Sequence, residues 1–435
     1  VSNSSRFVFG WLKRYFGKYY MIVLSMLHAI WMIAIFLFYL SFSYTLDDEV
    51  MLIRLTSAFK NTLIEQDYKE LRDRFLFVCV SWEKQLIEKI DTVSGMPVGY
   101  IDITNRESLG RFLQLLNQKP DNHKYLVVDV RFYDHAPNDS LLIAELKRIK
   151  HCRVSYHKTE DDKPHYPVFQ APLGLSDMQS TNEIVLKYHL IQGDTLKTTP
   201  LLMYEDMYGV KHEKGLLYDK IDGNYVFNTY ILDHPIRNFL RFRNLQYNYS
   251  YMSDMLMLPP EFFHEMTKDK IIIIGDFENL DIHQTIYGAM PGPLVLVNAF
   301  ISLERGYNQL KFGFLLMLFI SFTLISYKAL TLNDVIIDFI VRAIRKLFNF
   351  FQRILMKMKL VNESVEVESN KSAVTEFLAD SLFYTIYFSI VSVISYYFYN
   401  IHITILILAF YMWAFEALIQ YLSDKAEQNK ARVNV

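Results

Sequence analysis

Twenty-three consecutive residues without Asp, Glu, Lys or Arg, Tyr20 to Phe42, set the first constraint on this chain. At about 1.5 Å per residue a helix of that length crosses the hydrocarbon of a bilayer. The run is too long for a signal-peptide core and no small-residue cleavage pattern follows it, so an uncleaved anchor is expected. A second span is expected over Phe312 to Tyr327, between Lys311 and Lys328, whose stems can snorkel to the interfaces. A third runs from about Leu378 to Tyr399 and a fourth from about Ile401 to Tyr421, with Asn400 as the break of a tight hairpin. Arg6, Lys13, Arg14 and Lys18 precede the first span, and Lys425, Lys430 and Arg432 follow the last. Arg342, Arg345, Lys346, Arg353, Lys357 and Lys359 lie between the second and third. The positive-inside rule then places both termini and that loop in the cytoplasm and residues 43–310 outside.

Composition agrees with a mixed molecule. At 51% hydrophobic and 15% aromatic the chain is too apolar for an ordinary soluble enzyme, yet its 21% charged residues are too many for an all-membrane transporter. A net charge of −2 gives no electrostatic case for nucleic acid. Cys79 and Cys152 fit no metal spacing and read as two unpaired core thiols. The resulting division is a cytoplasmic amphipathic N-terminus (1–19), a first span (20–42), an outer domain (43–310) and a second span (311–328). A basic amphipathic helix with an acidic link (329–375), a helical hairpin (376–422) and a cytoplasmic tail (423–435) complete it. Residues 334–360 repeat apolar side chains at helical spacing with basic residues opposite, which fits an interfacial helix on anionic lipid.

Within 43–310, FLFVCV (Phe75 to Val80), YLVVDV (Tyr125 to Val130) and IIIIG (Ile271 to Gly275) are short unbroken apolar runs, the signature of strands buried on both faces. A further strand is expected over Val98 to Ile103, after a mixed helical or irregular stretch that follows Ser81-Trp82. Thr104 and Glu107 have capping-box spacing ahead of a helix through Leu109 to Leu116. Another helix begins at Asn138-Asp139-Ser140, and a strand is expected near Arg153 to Tyr156. The rhythm predicts an α/β domain with a mostly parallel sheet flanked by helices, outside a membrane domain of four transmembrane helices. Lys158 to Ser180 reads as a loop-rich excursion. Asn182 to Ile191 and Lys197 to Met203 read as a hairpin about Gly193-Asp194, with a short helix continuing over Leu201 to Tyr208. Asn224 to Leu232 reads as one strand, and Ile236 to Ser250 as lying along the sheet edge.

Tyr125 to Leu146 (VVDVRF, then NDSLLIAEL) and Lys268 to Gly306 (KIIII-Gly275, an Asp281-bearing loop, Pro291-Gly292, then an apolar helix) resemble the second class of CHASE domains. These are extracytoplasmic sensor modules. The layout of one span, a large outer module and three later spans matches as well, so the resemblance covers roughly 45–425. It implies a ligand- or partner-binding sensor. Signalling members continue into an output enzyme; here only about thirteen residues follow Leu422, so none is expected, and either a signal passes to a separate protein or the module is a scaffold.

In open α/β sheets ligands bind at the carboxyl ends of strands. Asp129, Arg131 and Asp139 fall at one such end with Arg106 available as a partner, and Asp276, Asp281 and His283 at another. A carboxylate-rich crevice for a cation or polar ligand is one reading. The other is structural, with Asp139 capping its helix, Asp129 accepting backbone hydrogen bonds and Arg106 solvated. No nucleophile elbow, phosphate loop, metalloprotease or EF-hand pattern is present, so neither cofactor nor resident metal is expected. A metal-dependent hydrolase using Asp129, Asp139, Asp276 and His283 is the enzymatic alternative, and a structural subunit of an envelope complex, oligomeric or not, is a third. In the spans, His28 is expected to hydrogen-bond between helices, and Asp380 and Glu416 to be paired or water-accessible near span ends.

Overall fold

The computed structural model describes residues 15–41, 50–57, 69–90, 94–180, 183–193, 195–236, 247–278, 280–331 and 373–433. Contacts divide the chain into two units, 57–310 and a second formed by 1–56 with 311–435. The six basic residues from Arg342 to Lys359, the acidic link and the first fourteen residues lie outside the described residues.

The 57–310 unit is built on a parallel-rich sheet. Its strands are β1 (Phe75–Cys79), β4 (Tyr125–Asp129), β5 (Cys152–Lys158), β7 (Leu173–Leu175), β8 (Asn248–Tyr251) and β9 (Ile271–Gly275). They lie in the order β8-β1-β9-β4-β5, with β7 parallel beside β5 and the short antiparallel β6 (Pro164–His165) completing seven strands. The isoleucine run is therefore central, as its composition demands. Registers place Phe75, Ile271 and Tyr125 in one row and Cys79, Gly275 and Asp129 in another, four residues on.

Alternate side chains feed two cores. Phe75, Phe77, Tyr125, Val127, Ile271 and Ile273 face one, closed by helix α6 (Gly292–Glu304). Leu76, Val78, Leu126, Val128, Ile272 and Ile274 face the other, closed by α2 (Arg106–Gln118), α3 (Asp139–Arg148) and α5 (Pro260–Thr267). Burial on both faces is why no polar residue interrupts these strands. At about 1.5–3 kcal/mol per buried aliphatic side chain, Ile271 to Ile274 alone contribute on the order of 10 kcal/mol against chain entropy. Cys79 and Cys152 are buried free thiols on strands separated by β9 and β4.

Several local expectations are corrected. The stretch after Trp82, expected to be helical or irregular, is a strand, β2 (Lys84–Ile90), paired antiparallel with β3 (Pro97–Thr104), which takes in the expected Val98 to Ile103. Both faces of this hairpin meet solvent over much of its length, so the alternation that marks a half-buried strand is missing. Asn105, not Thr104, caps α2, accepting the Glu107 and Ser108 amides at 3.0 Å. Asp139 is no cap either: it is the first residue of α3, after Asn138 at φ 68°. The expected hairpin near Gly193 shrinks to Ile191–Gln192 with Leu196–Lys197, and its second arm is helix α4 (Thr199–Tyr208), which has Pro200 in its first turn. Residues 224–232 break into two short strands, and Asn248–Tyr251 is a parallel edge strand beside β1.

The second unit holds four helices long and apolar enough to cross a membrane by length and composition: α1 (Tyr20–Leu40), α7 (Phe312–Thr331), and spans within α8 (Ala373–Tyr399) and α9 (Ile405–Val433). Asn400 turns α8 into α9 at φ 58°, a conformation asparagine tolerates. The turn is tied by the Ser395 hydroxyl donating to the Ile401 carbonyl at 2.6 Å and the Ile403 amide donating to Ser392 Oγ at 2.9 Å.

Candidate functional site

At the carboxyl edge of β1, β9 and β4 a cavity of about 340 Å³ opens among the loops that follow the strands. Asp129, Val130, Arg131, Tyr133 and Asp134 line it after β4; Asp276, Leu280 and Asp281 after β9; Val80 after β1; and His157 at the end of β5. The base of the β2–β3 hairpin supplies Lys84 and Ile101 to Thr104 as the remaining wall.

Its carboxylates are held differently. Asp276 is anchored: the Ser81 hydroxyl donates to Oδ1 at 2.6 Å, the Glu278 amide at 3.0 Å, and Lys84 Nζ stands 3.8 Å from Oδ2. Asp281 pairs with His283 Nε2 at 2.9 Å. Asp129 is the exception. It is 9% exposed, and its Oδ1 is buried with no hydrogen-bond partner. Burial, and then the nearby charge of Asp281, push its pKa from 3.8 up to about 6, against the opposing influence of His157, Ser155 and His283. Burial works against protonation of His157, but the hydrogen bond from Nδ1 to Asp177 (3.0 Å) and the charges of Asp129 and Asp177 outweigh it and raise its pKa.

Two glycines make this edge. A Cβ on Gly275 would stand 2.4 Å from Pro293 Cγ, and one on Gly292 would stand 1.9 Å from Asp281 Oδ2. The Gly292 amide also donates to the Asp281 carbonyl at 2.7 Å. Gly275, Asp281, Gly292 and Pro293 are thus one packed cluster that fixes the Asp281 loop to the first turn of α6. Gly292→Ala is expected to cost about 1–3 kcal/mol through overpacking, read as a lowered thermal midpoint. An unchanged midpoint would mean that Asp281 swings away freely.

Of the residues expected at the site, Asp129, Arg131, Asp276 and Asp281 line the cavity, and His283 reaches it through Asp281. Arg106 and Asp139 do not line it. Arg106 is wholly buried rather than solvated, with its guanidinium 4.4 Å above the Phe132 ring and Nε 3.3 Å from Asp139 Oδ1. Asp139 Oδ2 accepts the Ala136 amide at 2.9 Å, so this pair braces the loop after β4. Lys84, Asp102, Tyr133, Asp134 and His157 are cavity residues that the sequence reading missed. The carboxyl-edge rule applied to β5 would have found His157; nothing in the sequence marks the hairpin base as a wall. Among the described residues no three His, Cys, Asp or Glu side chains converge to hold a metal ion.

In the helical unit, His28 bridges two other helices, with Nδ1 2.8 Å from Ser326 Oγ and Nε2 2.9 Å from the Tyr411 hydroxyl. Lys328 does not snorkel. It is 1% exposed, and its Nζ donates to both carboxylate oxygens of Glu416 at 2.6 Å, with the Tyr384 hydroxyl donating to the same carboxylate. Asp380 lies on α8, with its side chain outside the described residues. The chain matches no protein-family model, no curated protein and no solved structure, so the chemistry of the crevice is read from its own geometry.

Proposed function

We propose that residues 43–310 are an extracytoplasmic, sensor-like domain of the second CHASE class, held in a bacterial cytoplasmic membrane by four helices with both termini inside. It binds a ligand in the crevice at the carboxyl edge of its sheet and couples that event to a separate protein, without catalysing a reaction. The observation that carries this reading is Asp129: a buried carboxylate oxygen left without a donor at the wall of a cavity large enough for a small molecule. Among the described residues no serine or cysteine lines the cavity, and its one aliphatic hydroxyl is that of Thr104. Small molecules extracted from the purified full chain test it. Mass spectrometry should find a compound that an Ile101→Trp chain, with its cavity filled, lacks; identical extracts would sink the reading.

The sidedness rests on the basic flanks of the spans and is tested separately. Leu216 is 99% exposed, while both native cysteines are buried. A Leu216→Cys chain in intact spheroplasts is expected to react with a membrane-impermeant maleimide while the parent chain stays unlabelled. Labelling only after lysis would invert the topology.

A second reading, a structural subunit of an envelope complex, is favoured by the β2–β3 hairpin. Leu86, Ile90, Met96, Val98 and Tyr100 are each more than half exposed on it. Apolar side chains gathered on a projecting arm fit contact with a partner protein. A photocrosslinker at Tyr100 that captures one partner in stoichiometric yield would favour this reading over a small-molecule sensor.

A further inference from the structure

Resting on the crevice reading above, we infer that the ligand is a small organic cation, an ammonium-bearing molecule that donates to Asp129 while its carbon skeleton lies on the apolar wall. Five carboxylates line the cavity (Asp102, Asp129, Asp134, Asp276 and Asp281) against Lys84, Arg131 and His157. Two of those three bases are already engaged, Lys84 with Asp276 and His157 with Asp177. The surplus at the wall is negative, and it surrounds a buried acceptor that lacks a donor, Asp129 Oδ1. An ammonium meets both conditions at once, through charge and through a charge-assisted hydrogen bond.

A bare divalent ion fits less well. Asp276 and Asp281 already accept from Ser81, Glu278 and His283, and no three ligating side chains converge among the described residues. Divalent cations require several oxygen donors at once. Val80, Ile101, Ile103, Val130 and Leu280, with Thr104 and Tyr133, form the rest of the lining, a mostly apolar surface that rewards carbon over a hydrated ion. Carboxylate or phosphate ligands would have to approach the five acids with Arg131 as the main attraction.

Isothermal titration of the full chain in nanodiscs near neutral pH separates these cases with three four-carbon probes: putrescine, butanediol and succinate. Putrescine is expected to bind, and Asp129→Asn to weaken it by about tenfold to a hundredfold, the loss of one charge-assisted hydrogen bond. Asp134→Asn, a change at an exposed position, is expected to weaken it by less, and it guards against a folding defect at position 129. Tighter binding of butanediol or succinate, abolished by Ile101→Trp, would overturn the cation assignment while leaving the crevice reading intact. No binding of putrescine at millimolar concentration would also overturn it, with the extraction experiment then deciding the fate of the crevice reading by itself.

Discussion

Glu416→Ala is expected to destabilise the four-helix unit by about 3–5 kcal/mol, the cost of removing one partner from a buried ion pair. Lys328 contributes its ammonium from α7 and Glu416 its carboxylate from α9, 88 positions later, with two contacts of 2.6 Å. Tyr384 on α8 donates to the same carboxylate, and Lys328 Nζ lies 4.9 Å from the centroid of its ring. Three of the four helices therefore converge on one charge pair. Without Glu416 the ammonium keeps the Tyr384 oxygen at 3.3 Å and the neighbouring ring faces, which do not neutralise it. Replacing both charges, as in Lys328→Met with Glu416→Leu, is expected to recover most of the loss, because apolar substitutes carry no desolvation cost. Unfolding of the full chain in mixed detergent micelles measures both. A single variant within about 0.5 kcal/mol of the parent, the range of an inert surface change, would show that the pair contributes nothing to holding the helices together.

That pair also shows where sequence reasoning stopped. Lys328 stands at the end of an apolar run, where an interfacial lysine belongs, and only the approach of α8 and α9 reveals that its end of the helix is covered. Arg106 has the same history. On its own helix it is one charge among polar neighbours, and Phe132 and Asp139, which bury and pair it, come from the loop after β4 and from α3. By contrast Phe75 to Cys79, Tyr125 to Asp129 and Ile271 to Gly275 could be read directly. A strand covered on both faces must be apolar at every position, and that leaves a local trace which needs no tertiary knowledge. The carboxylates at the ends of those strands were legible for the same reason, since a strand's end fixes the place of the residue that follows. The hairpin wall was not: β2 and β3 carry exposed apolar side chains mixed with charges, so neither period appears. Gly292 stands between these cases, visible as Pro-Gly before a helix but explained only by the Asp281 carboxylate that fills the space of its missing side chain.

Asp129→Asn is expected to raise the stability of the 57–310 unit at neutral pH, the opposite of what removing a structural carboxylate does. In the unfolded chain the carboxyl titrates near its ordinary value. In the folded domain burial above all, with Asp281 adding to it and His157, Ser155 and His283 opposing it, moves the pKa to about 6. The folded state therefore holds its proton more tightly than the unfolded chain does. Stability contributed by this group is present below about pH 4 and declines as pH rises through about 6, after which the ionised carboxylate costs about 2–3 kcal/mol. Asparagine keeps the shape and cannot ionise, so Asp129→Asn recovers that amount near neutral pH, and the difference fades in acid. Thermal unfolding followed from about pH 4 to about pH 8 reads the effect as two curves that meet at the acid end, separate between about pH 4 and about pH 6, and stay apart above that. A chain that keeps a costly carboxylate in a crevice trades stability for what the carboxylate binds. The same substitution is therefore expected to raise the midpoint and to weaken the response to putrescine, and no loss of packing produces those two results together. Equal or lower stability of Asp129→Asn at neutral pH would make Asp129 a satisfied structural residue and remove the physical basis for placing a ligand beside it.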